Sequence, residues 1–191
     1  LSQLIKIYLQ DINPYDLMQI LNAINFKIKD KDKTKIYLMS NDPDFDFEPY
    51  EYLYLNETSI PKMINHNLTE LDWDIVLPIF RPCIPTDNFD INIRKIYKEK
   101  YTNTDGVLWL NDNIQDKINT FPIVGRNYYE KFGYIYNSVY NKKKFEAEFT
   151  DVLKITNKFY YIKLNISLLL IQNKLKYLTF NAYKNNNKNK K

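Results

Sequence analysis

The chain has 191 residues and a formal net charge of +4, with one cysteine, one histidine and three glycines. That length suits one ordinary domain and is short for two. Cys83 alone makes no internal disulfide, His66 alone excludes a multi-histidine metal cage, and Gly106, Gly125 and Gly133 spell no phosphate loop of the G-x-x-x-x-G-K or G-x-G-x-x-G type.

Only three of the 27 basic residues are arginines, and the chain is rich in Asn, Ile and Tyr. The lysine excess therefore reads as a compositional bias. Acids run through the whole chain and no basic face is clustered, so nucleic acid is not an expected partner. Residues 4–9 are broken by Lys6 and followed by Gln10-Asp11, unlike a signal peptide. The longest apolar stretch, 164–171, is interrupted by Asn165 and Ser167 and is too short to span a bilayer. The expectation is a soluble cytoplasmic protein without a transmembrane segment.

In chain order, 4–9 reads as a strand. Pro14 opens a helix whose apolar positions Leu17, Ile20, Leu21 and Ile24 fit a 3.6-residue period. A second strand, 35–39, runs into the turn-rich Ser40-Asn41-Asp42-Pro43-Asp44, and 52–55 is a short third strand. Ser59 caps a helix with Pro61 in its first turn and Ile60, Met63, Ile64, Leu68 and Leu71 as its apolar stripe. Residues 73–79 are nearly all apolar, as in a strand covered on both faces.

Phe89, Ile93, Ile96 and Tyr97 mark the next helix, 106–110 a strand, and 126–132 a short aromatic helix. Phe145, Phe149, Val152 and Leu153 mark another helix and 159–163 a strand. Leu168, Ile171, Leu175 and Leu178 fit a terminal helix. This alternation predicts an α/β domain over 1–183 with a mostly parallel central sheet and helices on both faces, followed by a disordered Lys/Asn tail over 184–191. In such sheets ligands sit beyond the carboxyl ends of the strands. The loops there are 10–13, 41–46, 80–87 and 111–113; their acids fit a site and equally fit simple solvation.

Three stretches carry a resemblance. They are Asp72-Trp73-Asp74-Ile75-Val76, Thr104-Asp105-Gly106-Val107-Leu108-Trp109-Leu110-Asn111-Asp112, and the run from Gly125-Arg126-Asn127-Tyr128-Tyr129 through Glu148-Phe149-Thr150. Together they resemble the family 2-like glycosyltransferases of the GT-A (nucleotide-diphospho-sugar transferase) fold, over roughly residues 4–154. The resemblance implies a nucleotide-sugar donor, a sugar or glycoconjugate acceptor, and Mn²⁺ or Mg²⁺ as the family's cation.

Carried over by position, Asp42 and Asp44 match acids near the donor's base and ribose. Lys62 and Asn65 match a Lys and an Asn that face the donor; Lys62 also fits a solvated helix lysine. Glu146-Ala147-Glu148 matches the family's Asp-x-Glu, whose carboxylate takes the acceptor proton. The same two acids also suit an ordinary helix first turn. Trp109 and Asp112 match acceptor-side positions, and Trp109 fits a core residue equally well.

The chain departs from the family at its cation. Relatives end the fourth strand in two adjacent aspartates, whereas here Arg81-Pro82 stands. The Arg-rich turn after the first strand is replaced by Gln10-Asp11-Ile12-Asn13, and no histidine follows His66. Arg81 suits a diphosphate, because a guanidinium binds phosphate oxygens bidentately. It also fits a surface arginine left behind by drift. The readings that remain are a glycosyltransferase, a GT-A-like nucleotide- or sugar-binding domain without catalysis, and a purely structural domain.

Overall fold

The computed structural model describes residues 3–9, 14–44, 48–70, 72–81, 83–111, 116–140, 144–162 and 168–170. The first half alternates strand and helix: β1 (Ile5–Leu9), α1 (Pro14–Lys27), β2 (Thr34–Ser40), β3 (Glu51–Tyr54), α2 (Ile60–Glu70) and β4 (Ile75–Ile79). Then follow β5 (Cys83–Pro85), α3 (Phe89–Lys100), β6 (Val107–Leu110), β7 (Pro122–Gly125), α4 (Arg126–Phe132), α5 (Lys144–Thr156), β8 (Phe159–Ile162) and β9 (Leu168–Leu170).

Seven strands form the main sheet in the order β3-β2-β1-β4-β7-β6-β8. Pairings β1–β2, β1–β4, β2–β3 and β6–β8 are parallel, while β7 runs antiparallel to both β4 and β6. The expected α/β class, with a mostly parallel sheet, is what forms. The strands read over 73–79 and 106–110 lie in one sheet with β7 between them.

β7 itself has no counterpart in the sequence reading. It is four residues long and opens on a proline, which lacks the N–H a ladder needs and so weakens any strand signal. A further difference concerns Leu168–Leu170. It is a strand antiparallel to β5, where the apolar spacing suggested a helix. A short apolar run satisfies either period, and here pairing with 83–85 decides. Residues 171–191, including the expected tail, lie outside the described residues.

Strand alternation sends side chains to two cores. Ile5, Ile7, Leu9, Ile75, Leu77 and Ile79 pack against α1 and α3 on one face. Tyr8, Val76, Val107 and Val124 pack against α2, α4 and α5 on the other, where Phe145, Phe149 and Leu153 meet Met63, Ile64 and Leu68. β4 is buried along its whole length, as its unbroken apolar run requires.

The glycines serve this packing. A Cβ on Gly125 would sit 2.0 Å from the Thr104 carbonyl oxygen, so only glycine lets β7 approach the turn before β6. Gly133 ends α4 at φ 73°, a left-handed cap that glycine adopts without strain.

At the amino ends of β1 and β2 the sheet is closed by a polar clamp. Asp90, fully buried on α3, accepts the N–H groups of Lys29 and Asp30 at 3.1 and 2.9 Å and the Arg94 guanidinium at 3.1 Å. Arg94 also donates to the Gln3 and Lys33 carbonyls at 3.0 and 2.7 Å and to the Thr34 hydroxyl at 2.6 Å.

Candidate functional site

Because β1, β2, β3, β4 and β6 all run the same way, the chain leaves them at one edge of the sheet. Asp42 and Asp44 follow β2, Asn56 and Glu57 follow β3, Phe80 and Arg81 follow β4, and Asn111 follows β6. This is the edge where ligands of such sheets bind.

The central feature of the edge is an ion pair between Arg81 and Glu146. The guanidinium Nη2 donates to Glu146 Oε2 at 2.6 Å, and Nη1 donates to Oε1. Glu146 stands in the first turn of α5 with its side chain 5% exposed, while Arg81 is 32% exposed. Aromatic packing holds both in place. The Phe80 ring lies 5.1 Å from the guanidinium carbon and meets Phe145 and Tyr136 edge-on. Tyr136 is fully buried, its hydroxyl has no hydrogen-bond partner, and burial pushes its phenol well above the ordinary value, with the Glu146 charge adding to the shift.

The sequence analysis named both residues and missed their pairing. They lie 65 positions apart, and no local pattern signals such a contact. Arg81 is therefore not a stray surface arginine. Both Glu146 oxygens are engaged by one cation in a bidentate pair.

Glu148 stands two residues further along the helix, about 200° around its axis. Its neighbours are Asp151 and Tyr128 rather than Arg81. Its Oε2 is enclosed without a hydrogen-bond partner. Burial pushes the carboxyl above the ordinary value, and the Asp151 charge adds to that.

The candidate donor residues divide. Asp42 and Asp44 are exposed at the end of β2, where Asp42 accepts the Asp44 N–H at 3.0 Å in an Asx turn and its carbonyl accepts the Tyr52 hydroxyl. β1 lies between β2 and β4, so the strands that lead to these acids and to Arg81 are two spacings, about 10 Å, apart.

Lys62 borders an open cavity of about 400 Å³, whose lining includes Asn56, Glu57, Asn65 and His66. Its ammonium lies 3.0 Å from Glu57, a partner missing from the sequence reading. The Ser59 N–H and the Lys62 ammonium hold the Glu57 carboxyl below its ordinary value.

Asn65 corrects the expectation of an amide free to meet a ligand. Its Nδ2 donates to the Tyr136 carbonyl at 2.7 Å and its Oδ1 accepts the Ile135 N–H at 3.0 Å. The amide ties α2 to the chain before α5, and each of its two polar atoms spends one hydrogen bond there.

Trp109, expected as a candidate stacking wall, is 3% exposed. Its ring packs against Phe159 and Tyr161 at centroid distances of 5.5 and 5.7 Å, so it is a core residue of the β6–β8 pair. Asp112 lies outside the described residues.

One buried group escaped the sequence reading. Asn119, before β7, is fully buried with both side-chain amide atoms unpartnered. Its N–H donates to the Thr150 hydroxyl at 2.9 Å, and that hydroxyl donates to the Glu146 carbonyl at 2.6 Å. Asn119 thus braces the first turn of α5 that presents Glu146.

The family's cation does not fit here. Hard divalent cations need oxygen ligands, yet the fourth strand ends in a guanidinium already bonded to the nearest carboxylate. Among the described residues no group of three His, Cys, Asp or Glu side chains could hold a metal ion.

No protein-family model matches the sequence, and no curated protein matches it. Solved structures do. Mannosyltransferase PcManGT from Pyrobaculum calidifontis, in complex with GDP-Man and Mn²⁺, superposes with a TM-score of 0.67 at 11% identity, covering 87% of this chain and 56% of that one. S. aureus TarS (1–349) in complex with UDP superposes with a TM-score of 0.67 at 10% identity, over 87% of this chain and 60% of that one. The same protein with UDP-GlcNAc gives 0.65 at 9% identity, over 87% and 58%.

The fold is GT-A-like. These neighbours are glycosyltransferases, and the chain spans a little over half their length. Among the described residues no helix is long and apolar enough to cross a membrane.

Proposed function

We propose that this chain is a glycosyltransferase domain that binds a nucleotide-sugar donor at the carboxyl edge of β1–β4 and passes the sugar to a carbohydrate acceptor. The observation that carries the reading is the placing of Glu146 and Arg81 together at that edge, within a fold shared with structures bound to GDP-Man, UDP and UDP-GlcNAc.

In this reading a carboxylate of α5, Glu146 first and Glu148 second, takes the acceptor hydroxyl proton as that oxygen attacks the anomeric carbon. Arg81 meets the negative charge developing on the diphosphate leaving group. Asp42 and Asp44 accept hydrogen bonds from base or ribose, Lys62 contributes a point charge, and Asp112 serves the acceptor. Asn65 takes part through positioning.

One observation favours a second reading, a GT-A-like nucleotide- or sugar-binding domain without catalysis. Both oxygens of the better-placed base are engaged by Arg81. Calorimetric titration with GDP- and UDP-sugars, with Mn²⁺ and with EDTA, tests donor binding, and absence of binding in both buffers rejects both readings. Release of nucleoside diphosphate on adding acceptor oligosaccharides separates them, since the binding domain releases none.

A further inference from the structure

The Arg81–Glu146 pair has a consequence for the order of events. Glu146 is nearly enclosed, with a side chain 5% exposed, and its charge is matched by one guanidinium that is itself 32% exposed at the ligand edge. A buried carboxylate that loses its cation binds a proton more strongly, because burial disfavours the charged form. A diphosphate offers the same guanidinium more negative charge and equally suitable bidentate geometry.

We infer that Arg81 is a donor-operated gate. It holds Glu146 out of action in the free protein and transfers to the donor diphosphate on binding, which frees Glu146 as the general base. The inference rests on the donor-binding reading above. With the donor in place, the acceptor oxygen forms its bond to the anomeric carbon and the bond from that carbon to the phosphate oxygen breaks. The electron pair stays on the nucleoside diphosphate, now beside Arg81, and the acceptor proton goes to a Glu146 oxygen. Product release returns the guanidinium to the carboxylate as the proton leaves to solvent.

The unpartnered, buried Tyr136 hydroxyl near the pair and the packing of Phe80 edge-on to Phe145 and Tyr136 give the carboxylate a surround of low polarity.

The gate makes a prediction of sign that a simple structural ion pair does not. UDP and GDP affinities are measured calorimetrically in EDTA for the parent protein, Arg81→Ala and Glu146→Gln, each checked for folding by circular dichroism. Removing the competing carboxylate in Glu146→Gln should tighten nucleoside-diphosphate binding by about tenfold, and Arg81→Ala should weaken it by about tenfold or more. Should Glu146→Gln fail to fold, Glu146→Asp shortens the reach by one methylene and carries the same expected sign.

Affinities unchanged in both variants, or shifted in the same direction, overturn the gate and leave donor binding standing. Parent binding that appears only with Mn²⁺ does the same. A parent protein that binds neither nucleotide in any buffer overturns the donor reading and the gate together.

Discussion

Two arginine–carboxylate pairs stand at opposite edges of one sheet, and they are built differently. At the amino edge, Asp90 is fully buried and shares its oxygens among two backbone N–H groups, the Thr34 hydroxyl and Arg94, whose own donors also reach Gln3 and Lys33. At the carboxyl edge, both Glu146 oxygens rest on Arg81, which is one-third exposed. The first pair joins α1, β2, α3 and the chain entering β1 into one unit. The second links β4 to α5 and faces the space where ligands of such sheets bind. A carboxylate tied to many backbone groups stabilises, whereas one held by a single side chain can be exchanged.

The largest expected effect comes from breaking the first pair. Asp90→Ala leaves Arg94 as an enclosed cation and leaves the Lys29 and Asp30 N–H groups without their acceptor. Removing one partner of such a pair costs about 3–5 kcal/mol, and urea unfolding should show a loss of that size. Nucleotide affinity, measured where the variant remains folded, should stay unchanged. A loss below about 1 kcal/mol would put the amino-edge clamp on a level with an exposed ion pair.

Acid separates the two edges next. Burial tends to raise the Asp90 carboxyl, but the Asp30 and Lys29 N–H groups and Arg94 outweigh it and hold it below its ordinary value. A depressed carboxyl contributes stability that is present above its unfolded value, about 3.9, and is lost as pH falls through the lower folded value. The stability difference between the parent and Asp90→Asn should therefore shrink as pH drops below about 4. A difference that stays constant down through that range contradicts the assignment.

The carboxyl edge should respond to apolar replacement in the opposite way. The double variant Arg81→Met with Glu146→Leu removes both charges at once, and such replacements are often neutral or stabilising by about 1–4 kcal/mol. Thermal unfolding is expected to show no loss, while nucleoside-diphosphate binding is weakened. If the double variant is as destabilised as Asp90→Ala, Arg81 and Glu146 belong to the scaffold.

The two edges also differ in how much of them the sequence reveals. Strand and helix alternation, the fully buried β4 and the helical stripes of α1, α2, α3 and α5 follow from local periodicity, which a single sequence displays. β7 and β9 do not, because β7 opens on a proline and β9 belongs to an apolar run that fits either period, so pairing sets both. At the site, residue types and positions were legible for Arg81, Glu146, Asp42 and Lys62. The link between Arg81 and Glu146 was not, nor were the Asn65 bonds to 135–136, because each joins elements at least 65 residues apart. Trp109 shows the reverse error. A tryptophan at a strand end suggests a sugar platform until the partner strand supplies Phe159 and Tyr161 to cover it.

The smallest effect concerns the second acid of α5, and it sharpens the contrast within one helix. Glu148 lies beside Asp151 with an enclosed, unpartnered oxygen, and burial raises its carboxyl. A raised carboxyl favours the protonated folded state, so its contribution to stability is fully present below the unfolded value and is lost as pH rises through the folded one. At neutral pH the charged form is therefore a mild liability. Glu148→Gln removes the charge with nearly the same shape and should raise the melting temperature slightly at pH 7, by up to about 1 kcal/mol in stability. That gain should fade as pH falls through the raised folded value and be gone below the unfolded one, about 4.3. Glu146→Gln should show no comparable gain, because it leaves Arg81 without its carboxylate. A stabilised Glu146→Gln beside an unaffected Glu148→Gln would reverse the roles assigned to the two acids.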